Sequence, residues 1–140
     1  MTKRSWQQYQ LDAEAVFAGL GCSTAIEAVV AGARASHKVD VKVDFLNWGV
    51  RQRWLIECKY QKRKIPKSAV ETFKSIVLDV GADKGFLLSE VGFQVGAIAA
   101  ARLTNVSLLS LAELRAGVAA DKILYRLFQL EASALRLRKC

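Results

Sequence analysis

Histidine and proline each occur once in the 140 residues, and the three cysteines, Cys22, Cys58 and Cys140, form no CxxC pair. This leaves no zinc-binding spacing and no disulfide framework. Cys58 is expected to be a small buried hydrophobe. No apolar run approaches the ~18–20 residues of a membrane span, and the longest, Val95 to Ala101, is short and alanine-rich. The opening Met-Thr-Lys-Arg-Ser-Trp has none of the apolar character of a secretory signal. The expectation is therefore a cytoplasmic chain without membrane contact. Internal repeats, low-complexity tracts, a glycine-rich phosphate loop and a nucleophile elbow are all missing. Acidic residues are scarce too, with 13 against 21 lysines and arginines, a net charge of +8.

What is present is a core and a concentrated charge. At 52% hydrophobic residues, a chain of this length is expected to be a single domain spanning 1–140 with a proper interior. The positive charge gathers between residues 51 and 67, where Arg51, Arg53, Lys59, Lys62, Arg63, Lys64 and Lys67 face only Glu57, a net +6. Such a patch suits a polyanion, nucleic acid above all. A solvated, lysine-rich loop is the plainer alternative.

Trp54-Leu-Ile-Glu-Cys-Lys-Tyr60 reads as a short buried strand carrying two charges. By the two-residue period Trp54, Ile56, Cys58 and Tyr60 share one face, and Leu55, Glu57 and Lys59 share the other. Glu57 and Lys59 thus point the same way from an apolar segment, where isolated charge is costly. Upstream, His37 to Phe45 reads as a second strand, with Val39, Val41 and Val43 on one face and Lys38, Asp40, Lys42 and Asp44 on the other. Pairing the two strands as a hairpin brings an aspartate beside Glu57 and Lys59. Two converging carboxylates suit a hard cation such as Mg²⁺. With a lysine alongside, the constellation suits phosphodiester hydrolysis. Asp40 and Asp44 lie on the same face, and both are candidates.

The set Asp40 … Glu57-Cys-Lys59 resembles the PD-(D/E)xK nuclease signature. The text that follows, Gly81-Ala-Asp-Lys-Gly-Phe-Leu-Leu-Ser89, then Gly92-Phe-Gln and an alanine-rich helix, is similar to the Mrr catalytic domain of restriction-endonuclease-like proteins. The likeness runs from about Trp6 to Leu114. It implies an α/β fold, a restriction-endonuclease-like core with a central mixed sheet flanked by helices. It implies a Mg²⁺- or Mn²⁺-dependent endonuclease acting on DNA. Asp40 and Glu57 would be ligands with the Cys58 carbonyl, and Lys59 would be catalytic. His-x-x-Asp is the form in relatives, which favours Asp40 over Asp44. Relatives often bring an acid from the first helix toward the metal, and Trp6-Gln-x-Tyr-Gln-x-acid is similar to the opening of a bacterial subgroup. This favours Asp12 over Glu14, with an ordinary helix-surface acid the competing role. Arg51, Arg53, Lys62, Arg63, Lys64 and Lys67 would contact DNA, joined by Gln94 and His37. For His37 a structural hydrogen bond at the strand start is the competing role. The larger Mrr-like proteins append a DNA-reading domain that this sequence lacks. A structure-selective nuclease (a Holliday-junction resolvase or repair enzyme) and a non-catalytic DNA-binding subunit are the alternatives, and a separate specificity subunit is a further candidate partner.

The remaining elements follow from periodicity and caps. Trp6 to Leu20 reads as a helix with Trp6, Tyr9, Ala13, Val16, Phe17 and Leu20 in one stripe. Thr24 to Val30 reads as a strand, and Asn47-Trp-Gly49 as a hairpin turn. Ser68-x-x-Glu71 is a capping box opening a helix with Val70, Phe73, Val77 and Val80 apolar and Gly81 past its end. Lys84 to Glu90, Gln94 to Leu103 and Val106 to Leu109 read as strand, helix and strand, with Ser110-x-x-Glu113 capping another helix. Strand–helix–strand spacing implies right-handed crossovers with helices on both faces. Residues 121–139 read as a last helix whose stripe of Leu124, Leu127, Phe128 and Leu135 offers a surface for a homodimer.

Overall fold

Alternation of apolar side chains along the middle of the chain builds a sheet that needs cover on both faces, and the helices supply it. The structure, a computed structural model, describes residues 5–121. In order these form α1 (Trp6–Ala18), β1 (Ser23–Ala31), β2 (Ser36–Asn47), β3 (Val50–Lys59), α2 (Lys67–Asp79), β4 (Lys84–Ser89), α3 (Val95–Ala101) and β5 (Val106–Leu109). A further helix, α4, occupies residues 111–121. The stripe expected in 121–139, and the dimer surface placed on it, fall outside the described residues apart from Asp121. Among the described residues no helix is long and apolar enough to cross a membrane.

The sheet order is β1-β2-β3-β4-β5. The β1/β2 and β2/β3 pairs are antiparallel, and β3/β4 and β4/β5 are parallel, so the sheet is mixed as expected. One face packs Val41, Val43, Ile56, Cys58, Phe86 and Leu88 against Tyr9, Ala13 and Phe17 of α1 and Leu111 and Leu114 of α4. The other packs Val39, Leu55 and Leu87 against Val70, Phe73 and Val77 of α2 and Ala97 of α3. Trp54 meets Phe17 and Phe45 edge-on, at centroid distances of 5.8 and 4.8 Å. Gly85 lets α2 approach β4 closely, since a Cβ there would sit 2.7 Å from a Val77 methyl and 2.8 Å from the Phe73 ring.

Local signals held where their chemistry was complete. Ser110 and Glu113 form the reciprocal box, each backbone N–H donating to the other's side chain at 3.1 Å. Ser68 and Glu71 do not form theirs. The helix begins at Lys67, and extended Pro66 stands at its cap with no side-chain bond, so Ser68 already lies inside the first turn. The β2–β3 turn places Trp48 and Gly49 at φ +55 and +76 between the paired Asn47 and Val50. Positive φ at both positions is what a two-residue hairpin turn requires.

One strand pattern differs from expectation. Val39, Val41 and Val43 do not share a face, because Val41 and Val43 pack with α1 while Val39 packs with α2. The β1–β2 ladder skips the Glu27–Asp40 pair, and Glu27 has φ +49. A left-handed residue interrupts the pleat, so alternation counted across it fails.

Candidate active site

β2 follows β3 only as far as the Val41↔Ile56 pair. β3 continues beyond it on β4, through Glu57↔Leu87 and Lys59↔Ser89. Asp40 sits at this fork. The Cys58 N–H has lost its strand neighbour on the β2 side, and the Asp40 side chain takes that place, Oδ2 accepting the bond at 2.7 Å. Asp40 Oδ1 accepts from Gln10 Nε2 at 3.0 Å. The carboxyl is therefore held from β3 and α1 together.

Glu57 and Lys59 point toward α2, as the two-residue period expects. They line a cavity of about 200 Å³ with Ser68, Ala69, Thr72 and Phe73. Burial, with the hydrogen bond and negative charge of Asp40 added to it, pushes the Glu57 carboxyl up to about 8, against the pull of Lys59. The Glu57 carboxyl is thereby inclined to keep its proton at neutral pH, as a buried carboxyl beside another does. Burial also pushes the Cys58 thiol upward, which keeps it a neutral wall of the core.

The donor set fits a hard divalent cation. Asp40 and Glu57 present carboxyl oxygens whose mutual repulsion a cation would relieve as the proton does now. The Cys58 carbonyl accepts from Trp6 Nε1 at 3.2 Å and retains a second lone pair. Among the described residues no three His, Cys, Asp or Glu side chains converge. A hard cation held by so sparse a set would keep much of its shell as water.

The other candidates distribute unevenly. Asp44 bonds Arg53 Nε at 3.0 Å and lies 3.4 Å from Lys42 Nζ, in register with Arg53 and not with Glu57. Asp12 accepts from Gln8 Nε2 at 2.9 Å and faces a groove shared with Arg115 and Val118. Two residues along a helix turn it away from Gln10 and the fork. Glu14 accepts from Thr24 Oγ1 on β1. His37 Nε2 lies 2.7 Å from Asp79 Oδ2, which is the structural bond weighed for it. Arg51 and Arg53 stand eight and six residues back along β3 from Lys59, about 26 and 20 Å at ~3.3 Å per residue. Lys62, Arg63, Lys64 and Lys67 are exposed on the loop and helix start just beyond Lys59. That loop is clamped to the segment after β4, where the Ile65 N–H donates to the Gly92 carbonyl and the Gln94 N–H to the Ile65 carbonyl. Gln94 is exposed beside it at the start of α3.

Gln10 is the site residue that sequence reasoning missed. It is 2% exposed and lies on the arc that α1 buries with Tyr9, Ala13 and Phe17. Its position three residues before Ala13 was the available signal.

The sequence matches the restriction endonuclease family of Mrr catalytic domains over residues 1–117. The chain belongs to that family. No curated protein matches the sequence. Among solved structures, a protein of unknown function, AF1548, superposes with a TM-score of 0.61 at 20% identity, covering 74% of this chain and 56% of the other. The MspJI restriction endonuclease in complex with a 27-mer oligonucleotide superposes with a TM-score of 0.52 at 17% identity, covering 79% of this chain and 27% of the other. This Mrr-type chain thus spans about half of the first neighbour and about a quarter of the second. At these identities the likeness is one of fold.

Proposed function

We propose that the chain is a divalent-metal-dependent endonuclease that hydrolyses DNA phosphodiester bonds with Asp40, Glu57 and Lys59. The observation that carries this reading is the fork itself. Two bonded carboxyls and a lysine converge at the point where β2 leaves β3, in a chain whose family is that of restriction endonucleases. The oligonucleotide-bound state of the MspJI restriction endonuclease neighbour supports a nucleic acid as the polymer.

Asp40, Glu57 and the Cys58 carbonyl would hold Mg²⁺ or Mn²⁺, which supplies Lewis-acid polarisation of the phosphate and acidifies water. Gln10 and the Cys58 N–H fix the Asp40 carboxyl so that its oxygens need no reordering. Lys59, on the same pleat face as Glu57, holds its ammonium where negative charge grows on the phosphate in the transition state. Lys62, Arg63, Lys64 and Lys67 continue the positive surface outward and grip the backbone without reading bases. Gln94, exposed beside their loop, would contact the same strand. One such site cuts one strand, so a cut through both in one encounter calls for a homodimer related by a two-fold axis.

The test is DNA cleavage with Mg²⁺, with Mn²⁺ and with chelator, on linear, methylated and branched substrates. Metal-dependent cutting lost in Asp40→Ala and Glu57→Ala supports the reading, and cutting unaffected by chelator overturns it. Preference for branched DNA would shift the assignment to a structure-selective nuclease. Light scattering at micromolar concentration should give a mass near two chains.

A further inference from the structure

The β1–β2 hairpin changes face without changing register, and the change falls on Asp40. Ile26↔Val41 and Ala28↔Val39 keep the same offset, with no residue inserted on either strand. On one side of this step Val41 packs with α1. On the other, Val39, Ala28 and Val30 pack with α2. The far end of the hairpin is bonded to the end of α2, where Asp79 accepts from the Arg34 and Ala35 N–H groups at 2.9 and 3.2 Å.

Two strands can switch faces together only if the backbone is turned at the step. Glu27, opposite Asp40, makes that turn with φ +49, a conformation that costs every residue with a Cβ. With an extended residue at 27, Ala28 would stay on the face of Ile26 and would carry Val39 with it. Asp40 would then stand upright from the sheet, in line with Lys42 and Asp44. In the structure it lies toward β3 and bonds the Cys58 N–H and the Gln10 amide. The Glu27 side chain contributes little of its own. It is exposed, and its partner Lys38 Nζ lies 3.5 Å away on the surface.

We propose that Glu27 is a positioning residue, whose left-handed backbone turns the hairpin so that Asp40 is aimed at β3 and at the cation site. The inference rests on the site assignment above and concerns backbone conformation, not the charge of Glu27.

The test compares Glu27→Val, Glu27→Gly, Lys38→Ala and Asp40→Ala by calorimetric titration with Mn²⁺, with thermal melts alongside. The amide NMR shift of Cys58 reports its bond to Asp40. A β-branched residue opposes positive φ and glycine accepts it. Glu27→Val should therefore weaken Mn²⁺ binding roughly ten- to hundred-fold, the usual effect of losing a residue that orients a ligand, and should move the Cys58 amide. Glu27→Gly and Lys38→Ala should bind as wild type. Where valine prevents folding, Glu27→Thr carries the same expectation, since its β-branched side chain also opposes positive φ. Wild-type affinity in a folded Glu27→Val protein overturns the proposal, as does glycine weakening binding as much as valine. Asp40→Ala separates the two levels. If it binds Mn²⁺ normally the site assignment itself fails, and if it loses binding while Glu27→Val keeps it, only the positioning role fails.

Discussion

The raised affinity of Glu57 for its proton makes the residue a liability at high pH until a cation takes the proton's place. Burial and the neighbouring carboxyl raise Glu57 from its ordinary 4.5 to about 8, so the folded chain binds this proton more tightly than the unfolded chain does. Stability in chelator should therefore fall as pH rises from ~4.5 through about 8. Glu57→Gln should abolish that slope, since an amide can donate to Asp40 as the protonated acid does. At pH 8 in chelator its melting temperature should rise by roughly 3–6 °C, the shift that about 1 kcal/mol brings in a domain of this size. The same variant should lose stabilisation by Mn²⁺. A variant melting below wild type in chelator would contradict the raised Glu57 value. Lys59→Ala should act differently, lowering cleavage roughly 10²–10³-fold while calorimetry finds Mn²⁺ affinity near wild type.

Among the elements, the junction of the β1–β2 hairpin with α2 is sensitive to acid. Asp79 joins His37 and the Arg34 and Ala35 amides, bonds that hold its carboxyl below the ordinary range, the His37 bond first among them. Its contribution is present above the unfolded carboxyl value of ~3.9 and is lost as pH falls through the lowered folded value. Asp79→Asn should lower stability to urea at pH 7, with a deficit that shrinks as both proteins are taken below pH 4. An undiminished deficit in acid would mean that the charge of Asp79 is irrelevant. Elements governed by local chemistry were legible before the structure. Val106–Leu109 was read to the residue, and the Ser110 cap formed as its spacing required. The Ser68 cap failed because Pro66 already starts the helix. The faces of β2 were misread at Val39 because the turn that flips them belongs to Glu27, twelve residues earlier, and a glutamate carries no mark of positive φ. At the site, Asp40, Glu57 and Lys59 were legible from pleat and spacing. Gln10 was not, because an amide on a buried arc is told from a surface one only by the partner it meets.

At the scale of the whole molecule, the positive charge that looked continuous in sequence is split by the length of β3. Neutralising Lys62, Arg63 and Lys64 together should reduce the slope of log DNA affinity against log salt by about two to three. Neutralising Arg51 and Arg53 should leave it nearly unchanged, because one is remote from Lys59 and the other also pairs with Asp44. Equal effects from the two sets would mean that DNA runs along the full strand. The strand order has a separate bearing on how the chain reaches this form. Each strand's neighbour in the sheet is its neighbour in sequence, and the first three pair antiparallel through two short turns. Those pairings close small loops, whereas β4 and β5 each wait for a helical crossover. Asp40 and Glu57 both lie on the portion that can form first. Pulse-labelled hydrogen exchange during refolding should find the β2 and β3 amides protected before those of β4 and β5, so that the two acids are neighbours while half of the sheet is still unmade.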